Sequence, residues 1–105
     1  MTTEWIDTKI EGEVAIIEFK LTPTQTITYS DIPAAVEKAF NAICGSGERI
    51  KVVKISGRGP IWLYASIVHA VAHCAAAIAV YDAVNKQYVI VISHSPEYKI
   101  GQVIE

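Results

Sequence analysis

Apolar and polar positions change period several times along the chain, and each change predicts an element. Glu4–Ile10 alternates loosely, Glu11-Gly12 is a turn signal, and Val14–Phe19 is a second β-type run, so the chain is expected to open on a hairpin. Leu21–Ser30, with Pro23 and Thr22, Thr24, Thr26 and Thr28, reads as a loop. The period then becomes helical, with Ala35, Val36, Ala39, Phe40 and Ile43 on one apolar face. Ser30 or Asp31 suits the cap, Pro33 the first turn, and Gly45-Ser46-Gly47 the end of this helix. Ile50–Ile55 is a strand, Ser56-Gly57-Arg58-Gly59-Pro60 a turn, and Ile61 to about His73 a second helix with Pro60 at its first position. Ala77–Tyr81 is a buried strand, Ala83–Lys86 turns, and Tyr88–Ser93 returns as its hairpin partner. Tyr98–Glu105 is expected to add a short edge strand. Strand, helix and strand over Ile50–Tyr81 form a right-handed crossover with parallel strands. The fold class is therefore α/β, a small sheet of mixed strand direction.

Composition narrows the function classes. The chain has 105 residues, 51% hydrophobic and 19% charged, as expected of one compact domain with a real core. A net charge of −2 argues against an electrostatic grip on duplex DNA, and leaves room for a small anion held locally. Cys44 and Cys74 belong to no CxxC and read as two reduced, buried thiols of a cytoplasmic protein. MTTEWIDTKIEGE has neither a basic n-region nor an apolar h-region, so no secretion signal is read there. Ile61–Tyr81 carries no Asp, Glu, Lys or Arg and is long enough to span a bilayer. His69 and His73 would then sit near mid-membrane, and a helix and strand buried inside an α/β domain explain the same residues better.

Two groups of residues can carry chemistry. Ser56, Gly57, Arg58, Gly59 and Pro60 lie where a strand gives way to a helix, a place that favours an anion through backbone N–H groups, close approach at glycine and an arginine fork. The stretch is neither a Walker motif nor a complete GxGxxG, and a turn whose glycines serve geometry alone explains it equally well. His69 and His73 are four apart, so on a helix they share a face and can reach one metal; His94 ends the last strand. Ala70 stands where a zinc protease HExxH needs its Glu, so that reading fails, and packed, hydrogen-bonded histidines are the rival account. Tyr64, Tyr81 and Tyr88 can contact a base, but packing is the better expectation. Strand direction separates the two groups. The Gly-rich turn and Asp82 fall at one end of the sheet and His73 and His94 at the other, roughly 15–20 Å apart. A centre using both would be assembled between molecules.

The string Ile55-Ser56-Gly57-Arg58-Gly59-Pro60-Ile61-Trp62-Leu63, then His69 and His73, Ala79-Val80-Tyr81-Asp82 and Ser93-His94-Ser95, resembles the CRISPR-associated Csx-three family of ring nucleases over roughly Ile50–Ile104. The resemblance implies a small Rossmann-like domain with an N-terminal hairpin, two helices and a C-terminal hairpin, and at 105 residues no fused kinase-like domain is expected. It implies a homodimer that stacks head to tail around cyclic tetra-adenylate, cuts the ring to linear di-adenylate with Mn2+, and so switches off type III CRISPR antiviral signalling. Some members are manganese-dependent RNA deadenylases. Carried onto this chain, Ser56, Gly57, Arg58 and Gly59, with Pro60 beside them, would bind the ligand, and His69, His73, Asp82 and His94 would supply metal ligands and catalytic groups. From the residues alone, His73 is the candidate general acid or base, and His69, His73 and His94 the metal set. Asp82 would orient a ribose hydroxyl or complete the metal site. A module that binds the ring without cutting it is the competing function.

Overall fold

The computed structural model describes residues 3–105. Its element order is β1 (Ile6–Glu11), β2 (Val14–Lys20), α1 (Ile32–Ile43), β3 (Val52–Arg58), α2 (Ile61–Val71), β4 (Ala77–Asp82), β5 (Gln87–Ser93) and β6 (Val103–Ile104). These strands form one six-stranded sheet in sequence order. β1–β2, β4–β5 and β5–β6 pair antiparallel, while β2–β3 and β3–β4 pair parallel. The sheet is mixed α/β with a hairpin at either side, as expected. No described helix is long and apolar enough to cross a membrane.

Both crossovers step the same way along the sheet, so their common right hand places α1 and α2 side by side on one face. Ala35, Ala39 and Ile43 of α1 and Leu63, Ile67 and Val71 of α2 close over Ile17, Phe19, Val53, Ile55 and Ile78 of the strands in the main core. Each large side chain buried there contributes about 1.5–3 kcal/mol. The opposite face holds a smaller cluster of Val52, Ala77, Ala79 and Ile90, covered in part by Tyr98 and Ile104 from the tail. The helix face therefore carries most of the folding energy.

Several sequence expectations need correction. The cap of α1 is Asp31, but its carboxylate makes no capping bond to the helix. It accepts instead from the Thr28 amide at 2.7 Å, closing a short 3-10 turn over Tyr29–Asp31. Phe40, placed on the apolar face by spacing, is 49% exposed, because α1 meets the sheet through its alanines. β3 runs through Ser56, Gly57 and Arg58, which pair with Glu18, Phe19 and Lys20 of β2, so the turn before α2 shrinks to Gly59-Pro60. β4 follows β3 only as far as Ile55, paired with Val80. The last three residues of β3 therefore overhang β4 and leave one edge open.

The thiols are not reduced either: Cys44 and Cys74 form a disulfide, with Cα atoms 5.2 Å apart. Cys44 caps the C-terminal end of α1, and Cys74 lies three residues past the end of α2. Both helices run back down the same face, so their C-terminal ends lie together and cysteines thirty positions apart in sequence are joined into a loop. This pairing depends on topology and could not be read from spacing.

Tyr64 secures the crossover from the inner face. Its ring meets Phe19 edge-on at 5.0 Å, and its hydroxyl donates to the Gly57 carbonyl. Burial, with the Tyr88 phenol adding to it, pushes the Tyr64 hydroxyl up to about 12. The raised folded value means that its contribution is complete below pH 10 and is lost as pH rises through about 12. Tyr64→Phe is expected to cost about 1 kcal/mol in urea unfolding at neutral pH. An unchanged midpoint would show that the hydroxyl adds nothing.

Candidate functional site

The overhang of β3 creates the principal cleft, about 560 Å³, at the upper end of the sheet where β3 and β4 present their carboxyl ends. Ser56, Gly57 and Arg58 form its floor, Tyr81 and Tyr88 a wall, and Glu18 and Ala83 its margins. Ligand sites in open parallel sheets occur at this end of the strands. A second cleft of about 330 Å³ lies on the other side of Arg58, with Gly59, Pro60 and Trp62 on one side and Leu21 and Gln25–Ile27 on the other. The five residues singled out as an anion-binding stretch thus form a ridge between two clefts, and Arg58 borders both.

Gly57 is required there by geometry. Its φ is 104°, and a Cβ at this position would collide with the backbone of Phe19. The absence of a side chain is what lets β3 pair closely with β2 at this point, and the same residue lines the cleft.

Tyr88 packs against the smaller cluster, as the sequence leads one to expect, and Tyr81 and Tyr88 together also line the cleft wall, with ring centroids 5.1 Å apart and edge to face. A β-bulge between Ile78 and Ala79 of β4 and their partners is responsible. Ile78 pairs with Ile92, but Ala79 pairs with Ile90, so one residue of β5 is unpaired and the side-chain alternation inverts. Ile92 consequently packs in the helix-side core, whereas Ile90 and Tyr88 belong to the opposite face, next to Tyr81. Strict alternation would have sent Tyr88 to the side of Ile92. Lys54 reaches across this face, with its Nζ 5.2 Å from the centre of the Tyr88 ring.

Asp82 sits at the upper end, where strand direction put it, as the last residue of β4 paired with Gln87. Its carboxylate is engaged in its own hairpin turn. Oδ1 accepts from the Val84 amide at 3.0 Å, and Oδ2 accepts from the Asn85 side-chain amide at 2.8 Å. These bonds, that from the Asn85 side chain first, hold the carboxyl below its ordinary value even against some desolvation. A depressed folded value means that this contribution is present at neutral pH and is lost as pH falls through it. Asn85→Ala is expected to move the Asp82 titration, followed by carbon-detected NMR, toward the ordinary aspartate range. An unmoved titration would assign the depression to the backbone amides.

The histidines lie at the lower end. α2 stops at Val71, so His73 is in the exit turn and the one-face helical spacing with His69 does not hold. The turn is closed by the Ala72 amide donating to the His69 carbonyl at 3.3 Å and the Cys74 amide to the Val71 carbonyl at 3.1 Å. His73 stacks on His94, with ring centroids 5.4 Å apart and planes 24° from parallel. His94 Nε2–H donates to the Ala72 carbonyl at 3.0 Å, which leaves Nδ1 with the lone pair in the neutral ring. His69 is exposed in the last turn of α2. No three His, Cys, Asp or Glu side chains are grouped to hold a metal among the described residues. The structure thus brings together His73 and His94, and keeps them at the opposite end of β4 from Arg58 and Asp82.

Comparison with known proteins places this arrangement. An uncharacterized protein of Aquifex aeolicus (strain VF5) is 34% identical over 106 residues, an alignment covering 96% of this chain and 86% of the relative. No solved structure matches significantly. The family described as CRISPR-associated protein (Cas_csx3) matches residues 46–105, the span that contains the ridge, both tyrosines and all three histidines. The chain therefore belongs to the CRISPR-associated Cas_csx3 family.

Proposed function

We propose that the chain is a ring nuclease, a metal-assisted phosphodiesterase that binds cyclic tetra-adenylate and opens it to linear di-adenylate, switching off type III CRISPR antiviral signalling. The observation that carries this reading is the two-ended layout. An arginine ridge between aromatic-walled clefts lies at one end of the sheet, and an imidazole pair lies at the other. A homodimer offers two Arg58 side chains to a symmetric ring, and a second dimer stacked head to tail brings His73 and His94 to the same ligand. Arg58 binds phosphate as a charged fork. His73, carried on a turn and free of the helix ladder, serves as general acid or base.

One chain supplies only part of a metal site. His73 and His94 would hold a divalent ion, with the carbonyl bond at His94 Nε2 orienting its other nitrogen in the way that supports a ligand. His69, or groups of a second copy, would complete the set. Bound Mn2+ would supply stabilisation of the charge that develops on the phosphate.

A second reading is favoured by the same residues. Asp82 is spent on its hairpin turn, and the imidazole pair is not a complete ligand set, which suits a module that holds the ring without cutting it. Incubation with cyclic tetra-adenylate, with and without manganese, followed by chromatography separates the two. The nuclease reading expects metal-dependent conversion to linear di-adenylate. His73→Ala should abolish it with an unchanged melting temperature, and Arg58→Ala should weaken ligand binding at least ten-fold. An intact ring that co-elutes with the protein identifies a binding module. Shortening of linear poly-A as the sole activity identifies a deadenylase.

A further inference from the structure

We infer that each chain holds one dinucleotide step of its ligand, with the bridging phosphate at Arg58 and one base in each of the two clefts that flank it. The inference rests on the nucleotide-binding reading above and adds to it where the bases go. Arg58 is the ridge residue common to both clefts, and no carboxylate lies within ion-pair distance of it among the described residues. Its charge is therefore available to a phosphodiester. The clefts, about 560 and 330 Å³, are of a size that takes small ligands.

Each cleft is walled by an aromatic side chain already held in place. In the first, Tyr81 is steadied by the edge-to-face contact with Tyr88 and is 36% exposed. Tyr81 belongs to neither core cluster, so packing does not account for it. In the second, Trp62 meets Tyr29 at 5.0 Å and 73°, and Tyr29 is 73% exposed. An aromatic platform on either side of a free arginine matches two planar bases on either side of one phosphate, and such stacking tolerates any base. A dimer would then present four base subsites, one for each base of a four-membered ring, and would contact two of the ring's four phosphates.

Trp62 provides a direct test without turnover. The chain has two tryptophans, and Trp5 is buried at 5% exposure, so a nucleotide in the second cleft acts on Trp62 alone. Titration of the full chain with linear di-adenylate, without metal, is expected to quench its fluorescence and to saturate at least ten-fold below the concentration needed for adenosine monophosphate. Tyr81→Ala should weaken di-adenylate about ten-fold while leaving the quench at saturation intact, and Trp62→Phe should remove the quench while retaining binding by calorimetry. Di-adenylate that binds no tighter than the mononucleotide, or that binds without quenching Trp62, overturns the inference. If no linear nucleotide binds, the inference also falls. Cleavage of the ring by the same preparation would then leave the nuclease reading standing, and absence of cleavage and of ring binding would remove both.

Discussion

Gly57→Ala is expected to destabilise the chain by about 3–5 kcal/mol, the combined cost of a strained φ and of overpacking against rigid atoms. The new methyl group would meet the backbone of Phe19, with which Gly57 is paired in the parallel ladder between β2 and β3. Because those atoms are main chain, no rotamer change relieves the contact, and the φ of 104° adds strain in any case. The ladder must open from Ser56 onward, and the overhang that floors the first cleft opens with it. Gly59→Ala is the matched control. Its methyl group would sit 3.0 Å from Leu63 Cδ2 and 3.3 Å from Phe19 Cδ2, both side-chain atoms that can shift, so about 1 kcal/mol is expected. Urea unfolding of the two variants checks the contrast. A Gly57→Ala chain within 1 kcal/mol of the parent would mean that β3 does not approach β2 as closely as the structure has it.

Removal of the disulfide is the second large effect. Joining cysteines thirty positions apart restricts the unfolded chain by an amount worth about 3–4 kcal/mol, so Cys74→Ser or full reduction should lower the melting temperature by ~15–25 °C. The bond also anchors the exit turn of α2 to the end of α1, immediately after His73. Loss of the bond releases the turn that holds His73 against His94, so any activity that depends on this imidazole pair should fall on reduction at temperatures where the chain remains folded. A thermal scan with and without reductant, alongside a thiol count under denaturing conditions, decides the matter. Two free thiols and an unshifted transition would show that the cysteines are not joined.

The order of elements was legible because the pattern of apolar residues is local. Short apolar runs over Val14–Phe19 and Ala77–Tyr81, helical spacing over Ala35–Ile43, and the punctuation of Gly12, Gly47 and Pro60 each act within a few residues. The separation of Arg58 and Asp82 from His73 and His94 was legible for a related reason. Alternating strand and helix directions leave little freedom about which end of a sheet a residue reaches, and the stacked His73–His94 pair lies where that reasoning put it. The limits of α2 were less legible, since Ala72, His73 and Cys74 suit a helix as well as Val71 does, and the turn there is closed by contacts outside the helix.

What the amino-acid sequence determined by itself was the fold class, the strand and helix succession, and the residues grouped at each end, all consequences of local periodicity and chain direction. Only the tertiary structure decided the rest. The disulfide follows from two helices ending side by side on one face. The overhang of Ser56–Arg58 follows from β3 outrunning β4 while still paired with β2. The tyrosine wall follows from a single unpaired residue in β5 that inverts the alternation after Ile78. Each of these depends on register between segments distant in sequence, and register is set by packing over the whole sheet, which no window of residues contains.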